Sequence, residues 1–385
     1  MVLDTEYLIV GAGIAGLTLA IGFKQRNIPF VLIEKNKIID GIGAGLGISS
    51  NAILAFQKLN IHKNIQRIAN PLQHLNIVDE NGKLLIKGDP YILPNYDLTN
   101  YALHRSDLHK TLLELVPKEH IQTQKELVSI KPLTEGYEVI YSDNTTFRCK
   151  YIIGADGIYS QIRHHIFPKS NIIYSGYTCW RATISLKYHT PHQSTETWGK
   201  AGRFGITPLT NDRIYWYACI NTPTVRDTKY SQYSVEDLRN NFANYHQDIV
   251  TCLTHTTDDL LIHNDISYLE PLSQYHLGGI VLIGDAAHAT TPNLGQGACM
   301  GIEDAVVLLQ EIDKYSHKVH KAFEQYSKRR ISRCQFIVNR STQMGKIAQL
   351  DNPILIAIRN QLVSIIPPFI QRNQFKKLLD MTKVL

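Results

Sequence analysis

The chain has 385 residues, 44% of them hydrophobic and 19% charged. That length predicts two to three domains, and the composition supplies a sizeable core and excludes a disordered chain. Forty Lys and Arg against 34 Asp and Glu give a net charge of +6. This mildly basic balance admits phosphates and anionic substrates but lacks the concentrated stripe of a nucleic-acid binder, so no nucleic-acid partner is expected.

In chain order, Met1-Val-Leu-Asp-Thr-Glu-Tyr7 has no basic segment ahead of an apolar run, so no secretory signal is expected. Tyr7-Leu-Ile-Val10 reads as a short apolar strand. It runs through Gly11-Ala-Gly13-Ile-Ala-Gly16 into a helical stretch, and Phe30-Val-Leu-Ile33 is a second strand ending on Glu34. Together they make a βαβ unit. A glycine-rich segment spans 41–47, and a helix is expected over Asn51–Leu59. Residues 75–88 read as a hairpin around Asp79-Glu-Asn-Gly82. A helix is expected over Ser106–Leu115 with Ser106 as its N-cap. Residues 126–153 read as a strand meander turning at Gly136 and at Asp143-Asn144.

From 172 to 275 the character changes to a Tyr- and Thr-rich alternating pattern, predicting a separate antiparallel sheet. In Arg213–Ile220, the residues Arg213, Tyr215, Tyr217 and Cys219 share one face, and Ile214, Trp216 and Ala218 share the other. Gly279–Ile283 is an apolar strand leading into Gly284-Asp-Ala-Ala-His288. One or two long helices follow over Lys318–Leu350, then a short helical tail broken at Pro367-Pro368. No run reaches the roughly 18 apolar residues of a membrane span. The nearest, Pro353–Ile366, is interrupted by Arg359, Asn360 and Gln361. The six cysteines, at 149, 179, 219, 252, 299 and 334, form no CxxC pair. Free thiols, a cytoplasmic location and no metal site are therefore expected.

Three motifs carry chemistry. Gly11, Gly13 and Gly16 fit GxGxxG between a strand and a helix. The first allows the tight turn, the second lets the backbone approach a pyrophosphate, and the third lets helix and strand pack closely. Glu34, placed to accept from both ribose hydroxyls, disfavours a 2′-phosphate, so the site suits FAD or NAD over NADP. The second motif is Gly154-Ala-Asp156-Gly157-Ile-Tyr-Ser160-Gln-Ile-Arg163, after the strand Tyr151–Ile153. In the turn, the Asp156 carboxylate can cap the next helix. The third is Gly284-Asp285 through Pro292, Gly295 and Gly297, running into a helix with Glu303 and Asp304. Asp285, at a strand's C-terminal edge, can accept from ribityl hydroxyls. The helix starting over Leu294–Ala298 can stabilise negative charge with its N-terminus.

In this order and spacing, the motifs resemble those of the class A flavoprotein monooxygenases, the aromatic-hydroxylase family related to p-hydroxybenzoate hydroxylase, from Tyr7 to about Gln349. The resemblance implies an α/β fold: a Rossmann-like FAD-binding domain of the GR2 type interleaved with an antiparallel substrate sheet, plus a C-terminal helical tail. The expected pieces are 1–74, 100–171 and 276–350 for FAD, 75–99 and 172–275 for substrate, and 351–385 for the tail. It implies FAD as cofactor and NADH or NADPH as transient reductant, since the one GxGxxG serves FAD. Arg105 in this family reaches the cofactor, and Asp156 serves both FAD and NAD(P)H. Ala15, Lys35, Val128, Pro292, Gly295, Gly297 and Ala298 also fall at cofactor positions. His288 lies inside the third motif, where the family also has His, and is expected to be structural.

The implied reaction inserts one atom of O₂ into an aromatic or heteroaromatic small molecule through a flavin C4a-hydroperoxide, with no protein nucleophile. Tetracycline-like antibiotics, isoprenoid or alkene epoxidation, and a non-hydroxylating flavoenzyme of this fold are alternatives. The halogenase string WxWxIP does not occur. Substrate candidates on the sheet are Cys179, Arg181, Arg203 and Tyr215. Arg203 and Tyr215 resemble the substrate-contacting Arg and Tyr of bacterial FAD-dependent urate hydroxylases. Those enzymes carry Asn where this chain has Cys179, and a thiol replaces an amide poorly at a purine edge. The tail's Ile354, Leu355, Ile358, Leu362, Ile365 and Ile366 fall at helical spacing. They fit a helix packed on the core, a lid over the cofactor or a weak membrane-surface contact. The expected protein is a monomer or homodimer.

Overall fold

The computed structural model describes residues 3–41, 43–88 and 99–381. Ile42 of the glycine-rich segment, residues 89–98 of the 75–99 stretch and the last four residues of the tail lie outside the described residues. The first unit is β1 (Thr5–Val10), α1 (Ile14–Gln25) and β2 (Phe30–Ile33). Next come β3 (Gly45–Ile48), α2 (Ser50–Lys58), α3 (His62–Ile68), β4 (Asn70–Leu72) and the hairpin β5 (His74–Asp79) with β6 (Leu84–Gly88). Then follow β7 (Asn100–His104), α4 (Arg105–Leu113), β8 (Ile121–Gln122), and the meander β9 (Leu127–Pro132), β10 (Tyr137–Tyr141) and β11 (Thr146–Gly154), with α5 (Gln161–Ile166) after it. The meander turns at Gly136 and Asn144, both with positive φ, as the sequence implies.

The Ser106 cap needs correction. Helix α4 starts at Arg105, and its N-cap is His104, still extended at the end of β7; the His104 Nδ1 accepts from the Ser106 backbone N. The strand's extended backbone persists until His104, so Ser106 already sits inside the first turn.

The second half holds β12 (Ile172–Ser185), β13 (Gln193–Gly199), β14 (Gly202–Pro208) and β15 (Arg213–Asn221). Three short helices, α6 (Thr228–Ser231), α7 (Val235–Asn241) and α8 (Gln247–Thr254), precede β16 (Ile262–Leu269). The chain then returns through β17 (His276–Leu277), β18 (Ile280–Leu282), α9 (Asp285–His288), α10 (Gly297–Lys314) and the single long α11 (Val319–Ala348). The tail is α12 (Pro353–Ser364) and α13 (Pro368–Leu379), separated at Pro367-Pro368. No helix among the described residues is long and apolar enough to cross a membrane.

One sheet runs β17-β18-β11-β1-β2-β8, with β10 and β9 branching from β11. Its central strands β18, β11, β1 and β2 are parallel. Leu8, Ile9, Leu32, Ile33, Ile152, Ile153, Val281 and Leu282 are all fully buried. Continuous apolar strands of this kind need cover on both faces, which α1, α10 and α11 help supply. The second sheet, β16-β12-β15-β14-β13-β5-β6, is antiparallel except where β5 joins β13. A small third sheet, β3-β7-β4, lies in the first half.

The second sheet has two chemically distinct faces. Trp180, Phe204, Ile214, Trp216 and Ala218 pack with Leu238 of α7, Phe242 just after it, and Ile249 and Leu253 of α8 into a separate core. This explains the alternation along 213–220. The helices themselves are short and polar enough to escape a periodicity reading. Within this core the Trp216 indole N–H donates to Thr256 Oγ1 at 2.9 Å, and that hydroxyl donates to Cys252 O. Thr256→Val should leave the indole N–H buried and unpaired, costing about 1–3 kcal/mol. Urea unfolding followed by tryptophan fluorescence should show the loss, and Thr256→Ser should show little.

Candidate active site

The phosphate turn is built by close backbone approach. Gly11 has φ 106°, and a Cβ there would lie 2.5 Å from the Ala155 carbonyl oxygen. A Cβ on Gly16 would collide with the Gly11 carbonyl oxygen, whereas one on Gly13 would meet nothing within 4 Å. Gly11 and Gly16 are thus required by packing, and Gly13 alone borders open space at the N-terminus of α1. No acidic residue occupies that helix's first turn. The site can take an anion there. The residues present fit a dinucleotide cofactor: an open glycine backbone, a helix N-terminus and acids flanking it.

Around this turn, Glu34 accepts from the Ala12 N at 3.1 Å and from the Asn36 N at 3.0 Å. Lys35 is exposed beside it. The Lys125 N donates to Glu34 O, which brings the segment leading to Val128 near the same strand end; Val128 is exposed on β9. Arg105 is exposed at the start of α4, its side chain alongside Gly43. One turn later, buried His109 donates from Nε2 to Ala12 O at 2.6 Å. Sequence reading missed His109; its only signal is its spacing of four from Arg105 on α4.

The second and third motifs interlock. Asp156 accepts from the Ser160 hydroxyl at 2.6 Å and from the Ile162 N at 3.2 Å, while Ser160 itself caps α5. Asp156 therefore braces the capping residue. Burial raises its carboxyl pKa against the pull of these hydrogen bonds. Buried Arg163 donates to Ala286 O and Ile158 O, tying the two motifs together. Gly284, with φ 60°, and Gly301 both lie against the Ala15 methyl, so the cofactor helix, the third motif and α10 touch through small residues. Asp285 is exposed at the first position of α9. Pro292–Leu294 is a single 3₁₀ turn, Gly295 is left-handed, and α10 begins at Gly297, slightly later than the sequence implies. Pro292 and Gly295 are exposed, and Gly297 and Ala298 are half-buried.

Behind this loop sits a fully buried ion cluster. Asp304 accepts from the Gly284 N at 2.7 Å, from His288 Nε2 at 2.5 Å and from Arg330 Nε at 2.6 Å. Glu303 accepts from Arg330 at 2.6 Å, from Arg333 at 2.7 and 2.8 Å, and from Asn51 at 2.6 Å. Burial alone would raise the Asp304 pKa, but His288 and Arg330 bring it down to about 2. Burial alone would lower that of His288, but Asp304 raises it well above the ordinary value. Cys334 joins His288 and Asp304 in one trio. Arg330 and protonated His288 already neutralise that carboxylate, so the trio is an ion pair with a thiol beside it. His288 is buried within that pair, 3% exposed, with its Nε2 on Asp304.

The inner face of the second sheet looks toward this loop. Arg203 is only 2% exposed. It donates to Gln349 Oε1 and Asn293 Oδ1, each at 2.7 Å, and to Glu196 at 3.3 Å. Glu196 also accepts from the Trp198 indole at 2.5 Å and from the Tyr217 hydroxyl. Tyr177 donates to Asn293. Arg203 thus ties the sheet to the third motif and to the end of α11. Sequence reading found Arg203 but none of these partners, because they come from three distant segments.

Cys179 and Cys219 are cross-strand neighbours, both buried and unbridged. A hydrogen bond from Cys219, aided by Arg181 and Arg203, lowers the Cys179 pKa against burial. Arg181 is half-buried, and no carboxylate pairs with it among the described residues. Tyr215 lies against β3, where a Cβ on Gly45 would be 2.5 Å from its Cβ. Cys179, Arg181, Tyr215 and Tyr217 therefore form one polar-aromatic face.

A family model described as "FAD binding domain" matches residues 4–341. The chain is similar to 2-heptyl-3-hydroxy-4(1H)-quinolone synthase of Pseudomonas aeruginosa, 32% identical over 375 residues, covering 96% of this chain and 97% of that protein. It is similar to aurachin C monooxygenase/isomerase of Stigmatella aurantiaca, 29% identical, covering 92% and 93%. In fold it is similar to Klebsiella pneumoniae HpxO complexed with FAD and uric acid, with TM-score 0.87, 22% identity and coverage of 97% and 96%.

Two outcomes are expected from this geometry. Gly13→Ala should keep a native circular dichroism spectrum yet lose FAD on gel filtration, whereas Gly11→Ala should fail to fold, since its neighbours are backbone atoms. Arg330→Met should cost about 3–5 kcal/mol by removing the cation that two buried carboxylates share. Because the Asp304 pKa is depressed, its stabilisation is complete above the ordinary carboxylate range and is lost as pH falls toward about 2. Melting curves of the wild type should therefore drop across that acid window, and those of Arg330→Met should drop less.

Proposed function

We propose that this chain, which belongs to the FAD-binding family of class A flavoprotein monooxygenases, hydroxylates a 4-quinolone-type heteroaromatic ring carrying an alkyl chain. The observation that carries the substrate class is the 32% identity, end to end, with the quinolone synthase. The chemistry of the sheet's inner face fits it. A purine would need amide-like donors and acceptors around its edge, which the Cys179 thiol does not supply. A quinolone presents a flat apolar bicycle with one carbonyl and one N–H. Tyr215 and Tyr217 offer that ring an aromatic wall, and Arg181, paired with no carboxylate among the described residues, offers its oxygen a cation.

In this reading the turn at Gly11, Gly13 and Gly16 takes the FAD pyrophosphate, with Ala15 behind it. Glu34 takes the ribose, Lys35 and Val128 flank the adenine end, and Arg105, Asp156 and Asp285 reach the rest of the cofactor. Pro292, Gly295, Gly297 and Ala298 let backbone approach the flavin ring, and the N-terminus of α10 favours negative charge there. FAD bound in this way supplies hydride acceptance from NADH or NADPH and oxygen activation. The protein's share is to hold the ring, keep water out between the tyrosines and the third-motif loop, and stabilise charge on the ring oxygen through Arg181. Arg203 positions the sheet against that loop.

The division into FAD-binding pieces at 1–74, 100–171 and 276–350, substrate pieces at 75–99 and 172–275, and a 351–385 tail belongs to the same proposal. So do a cytoplasmic location, which six buried free thiols fit, and a monomeric or homodimeric state.

The test is NADH and NADPH oxidation by the FAD-loaded protein over 2-alkyl-4-quinolones, unsubstituted 4-quinolone, urate and tetracycline. An alkylquinolone should stimulate oxidation most and gain one oxygen by mass spectrometry; stimulation by urate alone would overturn the substrate class. Arg181→Met should raise KM for the alkylquinolone roughly 10- to 100-fold, the size of one charge-assisted hydrogen bond, without changing FAD content.

A further inference from the structure

Helix α12 is inside out. Ile354 is 70% exposed, Ile358 49%, Leu362 57% and Ile365 68%, and Leu355 and Phe369 extend the same apolar surface. The residue buried on α12 is a cation: Arg359 is 4% exposed. Its guanidinium donates to the carbonyls of Ile347 and Ala348 at the end of α11 and lies 5.2 Å from the Trp198 ring centroid. The tail is also held further along. Leu378 and Leu379 are buried in the main core, Met381 is buried after them, and Leu378 O accepts from Arg333. The apolar stripe is thus presented outward by a helix held at its middle through Arg359, in a tail held again at the end of α13.

Charge points to what covers it. Residues 340–385 contain seven Lys and Arg against two acids, a surplus of five in a chain whose net charge is +6. Lys346 near the end of α11 and Lys376 and Lys377 on α13 are exposed, on the two helices that flank α12 in the chain. An exposed apolar row on a helix flanked in the chain by exposed lysines complements an anionic bilayer surface, with the row at the acyl boundary and the lysines among the headgroups.

We propose that α12 and the start of α13 seat this enzyme on an anionic lipid surface. The seat adjoins the substrate sheet. Arg359 stacks on Trp198 of β13, whose indole reaches Glu196, and Gln349 just before α12 holds Arg203. If the alkylquinolone reading holds, a substrate dissolved in the bilayer reaches the sheet beside the membrane; lipid binding itself does not depend on that reading.

The test is co-sedimentation of the FAD-loaded full chain with vesicles of phosphatidylcholine, alone or mixed with phosphatidylglycerol. The wild type should pellet with the mixed vesicles, and high salt should weaken this by screening. Ile358→Glu with Leu362→Glu should cut the bound fraction about tenfold, with unchanged FAD content and unchanged NAD(P)H oxidation in solution. Lys376→Glu with Lys377→Glu should bind less and lose the salt dependence. No pelleting of the wild type with anionic vesicles would overturn the proposal. So would a wild-type dimer that the Ile358/Leu362 variant converts to monomer without any lipid binding, which would assign the stripe to a second copy of the chain. Because pelleting needs no substrate, its failure and the failure of the quinolone reading are separate results.

Discussion

The site depends on burying Glu303, Asp304 and Arg330 side by side between α10 and α11, all with no exposure. Taking these charges out of water costs several kcal/mol each, and only near-complete pairing and hydrogen bonding offset that cost. Here the pairing is dense. Asp304 is met by an arginine, a histidine and a backbone N–H, and Glu303 by two arginines and an asparagine. The partners come from three separate segments, α2, the third motif and α11. The cluster therefore fixes α2 through Asn51, the third motif through Gly284 and His288, and the tail through Arg333 and Leu378. A net stabilising effect is not required for this role. What the cluster supplies is a single arrangement, since any slip would strand a charge.

From that arrangement the cofactor region follows. With Gly284 held by Asp304, its backbone sits against Ala15, and α1 is locked to α10. Arg163 then carries the second motif to the third through Ala286 O. The second sheet is tied on by Arg203 acting through Asn293 and Gln349. Three arginines thus set the distances among the phosphate turn, the third-motif loop and the substrate face. None of them needs to touch a ligand to matter for the reaction.

Much of this was legible in the sequence, and the limits are physical. The glycine motif and its acid are local, so spacing alone reveals them. The two faces of β15 are also local, because strand alternation is written residue by residue. The identity of the buried arginine is not. Arg329, Arg330 and Arg333 look alike in the run Ser327-Lys-Arg-Arg-Ile-Ser-Arg333, and only the phase of α11 against α10 puts Arg330 inside. Arg203 was legible as a substrate-contact candidate but not as a staple, since its partners lie at 196, 293 and 349. The Ser106 cap failed because a histidine one residue outside the helix supplied the acceptor. Helices α6, α7 and α8 went unread because at four to eight residues they carry too little periodicity.

The tail shows what periodicity cannot decide. Apolar residues at helical spacing define a face but not the direction it points. On α12 the inward position is taken by Arg359, whose donors satisfy the carbonyls that end α11 and whose charge lies over Trp198. Once the cation fills that place, the isoleucines have no inward side left. The same structure redistributes the meaning of the net charge. As a property of the whole chain, +6 fits phosphate-bearing cofactors and an anionic substrate. Placed along the chain, nearly all of the surplus falls in 340–385, away from the phosphate turn at 11–16. A helix N-terminus and open glycine backbone bind a pyrophosphate without net side-chain charge. The basic surplus then belongs to the C-terminal segment that also carries the exposed apolar stripe.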